Sequence, residues 1–232
     1  MKNVSVDSAN SQEVAMRKGR LIPGLWASAR VIMTTMHTAA VSIIMTRVKR
    51  DPKYLFRRAR EVWSPSLFGI AGAEIDVSGQ ANVDFEKPHI FVMNHQSHMD
   101  IPAAFLAIPK NLGFIAKSEL EKIPLMGRTM RESGMVFVDR RDPAKDIASL
   151  RAGGELIRSG VNIIAFPEGT RSKDGLIAPF KKGVFMLALE AQVPIVPMAI
   201  HGARHVLPSG VLEPIPGVIQ VRFGSPISVV DY

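Results

Sequence analysis

From residue 74 onward, seven short apolar runs alternate with stretches of helical periodicity, and this alternation limits the folds open to the chain. Each run has the length of a buried strand, and helices are the usual connection between parallel strands. Strands that alternate with helices imply a mostly parallel sheet covered on both faces. The predicted strands are Glu74–Ser78, His89–Met93, Leu112–Ala116, Met135–Asp139, Asn162–Phe166, Ile195–Ile200 and Val218–Phe223.

Helical patterns lie between several of these runs. One of them ends at Arg158, and Gly160 follows it as a natural C-terminal stop. The sequence contains no internal repeat and no low-complexity tract. We therefore predict an α/β domain over residues 73–232, with a mostly parallel mixed sheet flanked by helices. The predicted helices are Ile101–Ala107, Pro124–Ser133, Pro143–Arg158 and Gly183–Ala191.

Composition excludes several classes of protein. A chain of 232 residues suits one domain with a sizeable core, alone or with an appendage, and a 47% hydrophobic fraction excludes a disordered protein. Because cysteine is absent, the chain has no disulfide, no thiolate metal site and no cysteine nucleophile. Any acyl chemistry on this protein must therefore avoid a thioester to the enzyme.

The N-terminal region differs from the rest of the chain. Residues 1–20 form a polar tail, and we expect residues 21–72 to be a membrane-associated helical pair. Between Val31 and Thr46 only His37 is ionisable, but this window is shorter than the roughly 20 residues needed to span a bilayer. The segment also lacks the form of a cleaved signal peptide. We expect a helix that lies in the interface or enters it and turns back; the alternative is a helix packed on the domain's own core.

A basic cluster follows, on a second predicted helix over Pro52–Ile70. Between Arg47 and Arg60 there are seven cations and one anion, next to the most apolar N-terminal stretch. Such a cluster attracts anionic headgroups, although a solvated helix face is the plainer interpretation. No nucleic-acid-binding motif accompanies it, so we predict no nucleic-acid partner. We expect a monotopic protein on the cytoplasmic face, held by insertion and by anionic lipid.

Two polar strings carry the chemistry of this sequence: residues 94–100 (NHQSHMD) and residues 166–172 (FPEGTRS). Each comes at the end of a predicted buried strand. Strand ends of an α/β sheet are where a rigid scaffold presents reactive side chains to a ligand. The first string offers an imidazole and a carboxylate, and the second offers a carboxylate, a glycine, a hydroxyl and a guanidinium. We therefore predict an enzyme that acts on a phosphate-bearing substrate.

In the first string, His95 and Asp100 have the properties of a base and its orienting acid. A carboxylate bonded to one ring nitrogen fixes the tautomer and leaves the other nitrogen free to accept a proton. The alternative for Asp100 is capping of the next predicted helix. Ser97 lacks the Gly-x-Ser-x-Gly context of a nucleophile, and a metal site at His95, His98 and Asp100 would match no usual spacing. We predict direct deprotonation of a substrate hydroxyl and no metal.

The second string has the composition of an anion site. Arg171 presents a planar fork that suits phosphate oxygens, and Gly169 allows backbone N–H groups to approach an anion. The alternative is an ordinary Pro-Glu-Gly turn in which Arg171 pairs with Glu168. The tetrapeptide alone is weak support, but its occurrence with the first string at a matching strand end favours the anion site.

Four blocks in this order resemble the 1-acyl-sn-glycerol-3-phosphate acyltransferases, within the wider glycerolipid acyltransferase family. The resemblance covers roughly Glu74 to Phe223, and the joint match is very specific. The blocks are Asn94-His95-x4-Asp100; Gly113 to Leu120 with Pro124, Gly127 and Phe137 to Arg140; Phe166 to Ser172; and Val193 to Pro197.

The resemblance implies transfer of a fatty acyl group from acyl-CoA or acyl-carrier protein to the sn-2 hydroxyl of lysophosphatidic acid, with no further cofactor. It implies that His95 is the general base and Asp100 its orienting partner. The basic residues Lys117, Arg140 and Arg171 would hold the acceptor phosphate. The acceptor site would be shaped by Glu168, Gly169 and Thr170, with a strand-end turn set by Pro194 and Pro197 beside it.

Two other functions fit the same sequence. The acceptor could be glycerol-3-phosphate, another lysophospholipid or a lyso-aminolipid, since the second string favours a phosphate without fixing the acceptor. Alternatively, the chain could be a catalytically silent membrane-binding protein on the same fold, although the intact His95 and Asp100 argue against it.

Overall fold

The computed structural model describes residues 21–51, 53–132, 135–138 and 152–229. The described strands form one seven-stranded sheet. In chain order they are β1 (Ala73–Ser78), β2 (Ile90–Met93), β3 (Leu112–Lys117), β4 (Val136–Val138), β5 (Asn162–Ala165), β6 (Ile195–His201) and β7 (Gly217–Phe223).

The strand order across the sheet is β1-β7-β6-β2-β5-β3-β4. The five strands from β6 to β4 in that order are parallel to one another. At the other side β7 is antiparallel to β6, and β1 is parallel to β7. The predicted mostly parallel mixed sheet is therefore confirmed.

Helices cover the sheet and extend beyond it at the N-terminus. A single π-helical turn, Ala59–Trp63, joins the helices Tyr54–Arg58 and Ser64–Ala71. The predicted helix before Gly160 ends where expected, and its part over residues 143–151 lies outside the described residues. The described helices are α1 (Leu21–Lys49), α2 (Tyr54–Arg58), α3 (Ser64–Ala71), α4 (Asp100–Ala107), α5 (Met126–Glu132), α6 (residues 152–158), α7 (Gly183–Ala191) and α8 (Ala203–Val206).

The two central strands are buried along their whole length, which explains why they read as continuous apolar runs. Successive side chains of a strand point to opposite faces. In β2, Phe91 and Met93 accordingly join one core cluster, whereas Ile90 and Val92 join the other. The sheet is thus packed on both faces, and neither central strand can slip in register without moving core residues into the wrong cluster.

Parallel pairing of β2 with β5 brings the two polar strings together. Ile90 pairs with Ile163 and Val92 with Ala165, so both strands end at the same edge of the sheet. Residues 94–100 and 166–172 therefore leave from neighbouring points on that edge.

The fourth block lies elsewhere. Pro194 immediately precedes β6, and its carbonyl accepts a hydrogen bond from Ile90 N, the first residue of β2 (3.2 Å). Because β6 and β2 are parallel, Pro194 is at the edge where these strands begin, opposite to the edge of the polar strings. Pro197 lies inside β6. The expected turn beside the acceptor site is therefore wrong. This block begins the central strand β6, and Pro194 stands just before its first residue, where no ladder hydrogen bond needs a backbone N–H.

Helix α1 exposes apolar side chains and buries small polar ones. Ile22, Trp26 and Met33 are 72%, 71% and 72% exposed, whereas Thr38 and Ser42 are 6% and 2% exposed. The helix contacts α2, α3 and α5, and its buried residues also include Ala39 and Ile43. The large apolar side chains on its outward side distinguish α1 from a helix packed on a soluble core, which keeps such residues on the inward stripe.

The length of α1 differs from the expectation based on the uncharged window. The helix has 29 residues and is long and apolar enough, by length and composition, to cross a bilayer. It extends past the window at both ends because Arg30 and Arg47 lie within it rather than at its boundaries. Length alone therefore does not exclude a transmembrane helix, contrary to that expectation.

Two glycines with positive φ provide a matched test of the fold. Gly160 (φ 92°) has open space where a Cβ would lie, whereas a Cβ on Gly202 (φ 83°) would overlap the carbonyl oxygen of Val218 in β7. We expect Gly160→Ala to cost roughly 1–2 kcal/mol of unfolding free energy, from backbone conformation alone. Gly202→Ala should cost roughly 1–3 kcal/mol more, because β7 must shift. Urea unfolding of both variants in detergent measures the difference, and equal losses would contradict the β6–β7 packing.

Candidate active site

His95 and Asp100 form a hydrogen-bonded pair at the end of β2. The Nδ1 atom of His95 lies 2.7 Å from Oδ2 of Asp100, whose side chain is fully buried, while the His95 side chain is 16% exposed. An Nδ1–H that donates to the carboxylate leaves Nε2 as the basic nitrogen. The pair predicted from the sequence is therefore assembled with the geometry of a general base and its orienting acid.

Asp100 also holds the turn that carries His95. Its Oδ2 accepts hydrogen bonds from Gln96 N (2.7 Å) and Ser97 N (2.9 Å). Helix α4 begins at Asp100 itself, and the carboxylate faces back toward the preceding turn instead of capping the helix. Loss of this carboxylate would therefore disturb both the tautomer of His95 and the backbone that positions it.

A residue that the sequence analysis missed packs on the imidazole. The ring of Phe166 stacks on that of His95, with centroids 3.9 Å apart and an interplanar angle of 17°. Phe166 directly follows β5, the neighbour of β2. Its position at a strand end was the feature of the sequence that could have marked it as a site residue. The sequence alone does not tell which strands lie beside β2 in the sheet. The contact between Phe166 and His95 forms only because β5 is one of these neighbours.

Glu168 links the two polar strings through the backbone. It is 3% exposed, its Oε1 accepts a hydrogen bond from His95 N (2.8 Å), and its Oε2 accepts one from Ala178 N (3.3 Å). A second link runs from Ser172 N to His95 O (2.7 Å). Both oxygens of Glu168 thus serve backbone N–H groups, and in the described part of the chain it forms no ion pair with Arg171.

The pair opens onto a cavity of about 840 Å³, within the usual range for small-molecule sites of about 300–1,000 Å³. One part of the lining, called here the mouth, is formed by the polar residues His95, His98, Arg171 and Lys181, and Arg171 and Lys181 give it positive charge. The body is mostly apolar and runs between the sheet domain and the N-terminal helices. Its lining there includes Leu55, Phe56, Trp63, Phe105, Phe114, Met126, Met130 and Met135.

The remaining predicted site residues have different positions. Gly169, Thr170 and Arg171 line the cavity, and Gly169 has the positive φ (76°) that its turn requires. Glu168 supports the mouth from behind instead of lining it. Lys117 is the last residue of β3. Arg140 lies outside the described residues.

His98 lies at the mouth of the cavity beside Arg171. Desolvation by the surrounding protein lowers the pKa of His98 below its ordinary value of 6.5, and the positive charge of Arg171 lowers it further. His98 is consequently neutral at neutral pH and adds no charge to the mouth. In the described chain no group of three or more His, Cys, Asp or Glu side chains is arranged to hold a metal ion.

Comparison with known proteins identifies a family that this chain matches. Residues 74–201 match the family model described as Acyltransferase. A chloroplastic 1-acyl-sn-glycerol-3-phosphate acyltransferase (BAT2) of Brassica napus is 38% identical over 58% of this chain and 39% of its own length. A 1-acyl-sn-glycerol-3-phosphate acyltransferase of Chlamydomonas reinhardtii is 33% identical over 88% of this chain and 61% of its own.

A solved structure is also similar: the 1-acyl-sn-glycerophosphate acyltransferase PlsC from Thermotoga maritima. It superposes with a TM-score of 0.76 at 27% identity, over 91% of this chain and 87% of that one. The chain spans less than two thirds of the length of the first curated relatives. For two chloroplastic ones, the matched region covers 39% and 38% of their length. The resemblance that the four sequence blocks predicted is confirmed, over a region that contains both polar strings.

Proposed function

The chain belongs to the acyltransferase family, and from that premise we propose that it transfers a fatty acyl group from an acyl thioester to the sn-2 hydroxyl of 1-acyl-sn-glycerol-3-phosphate, giving phosphatidic acid. The observation that carries this proposal is the His95–Asp100 pair at the basic mouth of a largely apolar cavity. The names of the relatives support the same acceptor.

The proposed reaction needs one base and forms no covalent acyl-enzyme. Nε2 of His95 accepts the proton of the acceptor hydroxyl as its oxygen attacks the thioester carbonyl carbon. The C–S bond then breaks, and the leaving thiolate takes the proton from His95, so that an ester and a free thiol result. Asp100 keeps Nδ1 protonated and stabilises the imidazolium formed in between.

The acceptor phosphate belongs at the cationic side of the mouth. Arg171 lines it, and in the described chain its guanidinium forms no ion pair that would compete for a phosphate. We assign the two forked N–H donors of Arg171 to two phosphate oxygens, with Lys117 and Arg140 as further cations of this site. The apolar body of the cavity suits an acyl chain, whose burial there removes methylene groups from water.

We also propose that α1 holds the chain on a membrane surface as a monotopic protein. Its outward side presents Ile22, Trp26 and Met33 at more than two thirds exposure, and the basic cluster at its C-terminal end suits anionic headgroups. The same helix also lines the cavity through Thr35 and Thr38. Removing residues 1–72 would therefore open the cavity as well as detach the protein, so point substitutions are the better test.

His95→Ala should lower turnover by at least about a hundredfold, since a positioned general base contributes about that much or more. Asp100→Asn should be less damaging than His95→Ala, because the amide oxygen still accepts from Gln96 N and Ser97 N and so keeps the turn in place. It should still lower turnover, because a neutral amide no longer stabilises the imidazolium. His201→Ala, at an exposed histidine that ends β6, is the matched control and should retain normal turnover. Thioester consumption with lysophosphatidic acid measures all three, and near-normal turnover in a folded His95→Ala variant would reject the assignment.

Arg171→Lys keeps the charge but loses the fork. We expect the apparent KM for the acceptor to rise about tenfold, or about 1.4 kcal/mol, while that for the acyl donor changes little. Arg204→Lys is the control, because Arg204 donates to Lys173 O (3.2 Å) outside the cavity. If only the KM for the donor changed, Arg171 would belong to the donor site.

High salt should leave the protein on anionic vesicles, and detergent should release it. Salt screens headgroup attraction but does not weaken apolar burial. Trp26→Asp combined with Met33→Asp should allow release by salt, because the outward side of α1 could then no longer insert. Vesicle flotation measures the bound fraction, and a double variant that stays bound in high salt would show that α1 is not the anchor.

A further inference from the structure

A second exposed apolar surface lies beside the mouth of the cavity, on the loop formed by residues 175–182, called here the apolar loop. Leu176 is 71% exposed, Ile177 is 61% exposed and Phe180 is 51% exposed. These residues do not line the cavity. Three large apolar side chains exposed together on one short loop indicate a surface that contacts another apolar phase or a partner.

The apolar loop is held in place by the two polar strings. Ala178 N donates to Glu168 Oε2 (3.3 Å), and Lys181 N donates to Pro167 O (2.8 Å). From the first string, Gln96 Nε2 donates to Gly175 O (3.1 Å). The loop is therefore fixed relative to His95. Leu176 and Ile177 are exposed on this anchored backbone, and the half-exposed ring of Phe180 also stacks on Phe185, with centroids 6.5 Å apart.

Charge around the apolar loop is positive. Lys173, Lys181 and Lys182 are all exposed, and Lys181 also lines the mouth of the cavity. The single anion of residues 173–182, Asp174, precedes the loop, and its Oδ1 accepts from Leu176 N (3.0 Å) and from Ser172 Oγ (3.0 Å). Three lysines against this one carboxylate leave the stretch with a net charge of 3 − 1 = +2. Apolar side chains flanked by exposed lysines suit the boundary between anionic headgroups and acyl chains.

A series of contacts connects the apolar loop with the N-terminal end of α1. Arg204 donates to Lys173 O (3.2 Å), and the segment that continues from Arg204 reaches Leu212, which packs against Gly24 of α1. Leu212 is itself 47% exposed, and Trp26, two residues after Gly24, is 71% exposed. Exposed apolar side chains thus occur at both ends of this connection.

We propose that the apolar loop is a second membrane contact, which inserts Leu176, Ile177 and Phe180 below anionic headgroups and places the mouth of the cavity at the lipid surface. The inference adds to the proposed anchoring by α1. One contact leaves the protein free to tilt about it, whereas a second one next to His95 fixes the mouth against the bilayer. A lysolipid acceptor can then enter sideways from the membrane without full transfer into water.

The absence of cysteine makes a direct test straightforward, because any introduced cysteine is the only one in the chain. Ile177→Cys is labelled with an NBD fluorophore in the full-length protein and mixed with vesicles of phosphatidylcholine and phosphatidylglycerol. We expect a blue shift of its emission and quenching by lipids that carry bromine on their acyl chains. The matched control is Ile227→Cys, which is 53% exposed beside Ile195 at the opposite edge of the sheet and should show neither effect.

Met33→Cys on α1 separates this inference from the proposed anchoring. If the Met33 label shifts on vesicles and the Ile177 label does not, the second contact is rejected while the proposed function stands. A shift of the Ile177 label with acyl-carrier protein but not with vesicles would make the loop a protein-docking site and overturn the inference. So would an Ile177 label already shielded from aqueous quencher without lipid, which would mean that the chain covers its own loop.

A kinetic arm uses Leu176→Ser combined with Phe180→Ser. We expect the apparent KM for acceptor embedded in vesicles to rise several-fold, with unchanged turnover of a short-chain acceptor that is monodisperse in water. Ile227→Ser should change neither value. Equal effects on both acceptors would show that the substitutions act on the site itself and would contradict the membrane contact.

Discussion

The carboxylate of Glu168 is the interaction on which the site depends. It accepts the backbone N–H of His95 from one side and that of Ala178 from the other, and it is almost completely buried. A buried carboxylate is stable only when hydrogen bonds replace its lost hydration. The segments that contain His95, Glu168 and Ala178 must therefore lie in contact. The position of His95, the course of the second string and the placement of the apolar loop all follow from that requirement. The resemblance implied that Glu168 shapes the acceptor site; in the structure both its carboxylate oxygens accept backbone N–H groups, and its side chain does not line the cavity.

Neighbouring groups hold both the side chain and the backbone of His95 in place. Asp100 fixes Nδ1, Phe166 covers one face of the ring, and Ser172 N binds the carbonyl of His95. Three constraints on a single residue leave the imidazole little freedom to move, which is the preorganisation that the proposed general-base catalysis requires. The guanidinium of Arg171, by contrast, lines the open mouth, where a ligand can organise it.

In the proposed function, the N-terminal helices connect the cavity with the lipid phase. Helix α1 turns Thr38 and Ser42 inward, toward the cavity, together with Ala39 and Ile43, and it exposes Ile22, Trp26 and Met33. In water this arrangement would forfeit the burial of the apolar side, whereas at a bilayer both sides are satisfied. The same physical logic applies to the apolar loop, where exposed leucine, isoleucine and phenylalanine are combined with an anchored backbone.

The sequence by itself determined the strands, the parallel sheet and the His95–Asp100 pair. Alternating apolar runs and helical patterns encode local structure, and the turn from His95 to Asp100 is short enough for its two ends to meet without help from the rest of the chain. Strand order was not encoded locally, because any of several strands can pair with β2 once the helices allow it. Only the tertiary structure therefore decided that Phe166 stacks on His95, that Glu168 faces inward, and that Pro194 lies at the far edge of the sheet. The direction in which α1 turns its apolar side was likewise decided by packing, because apolar residues surround much of that helix and its periodicity selects no face.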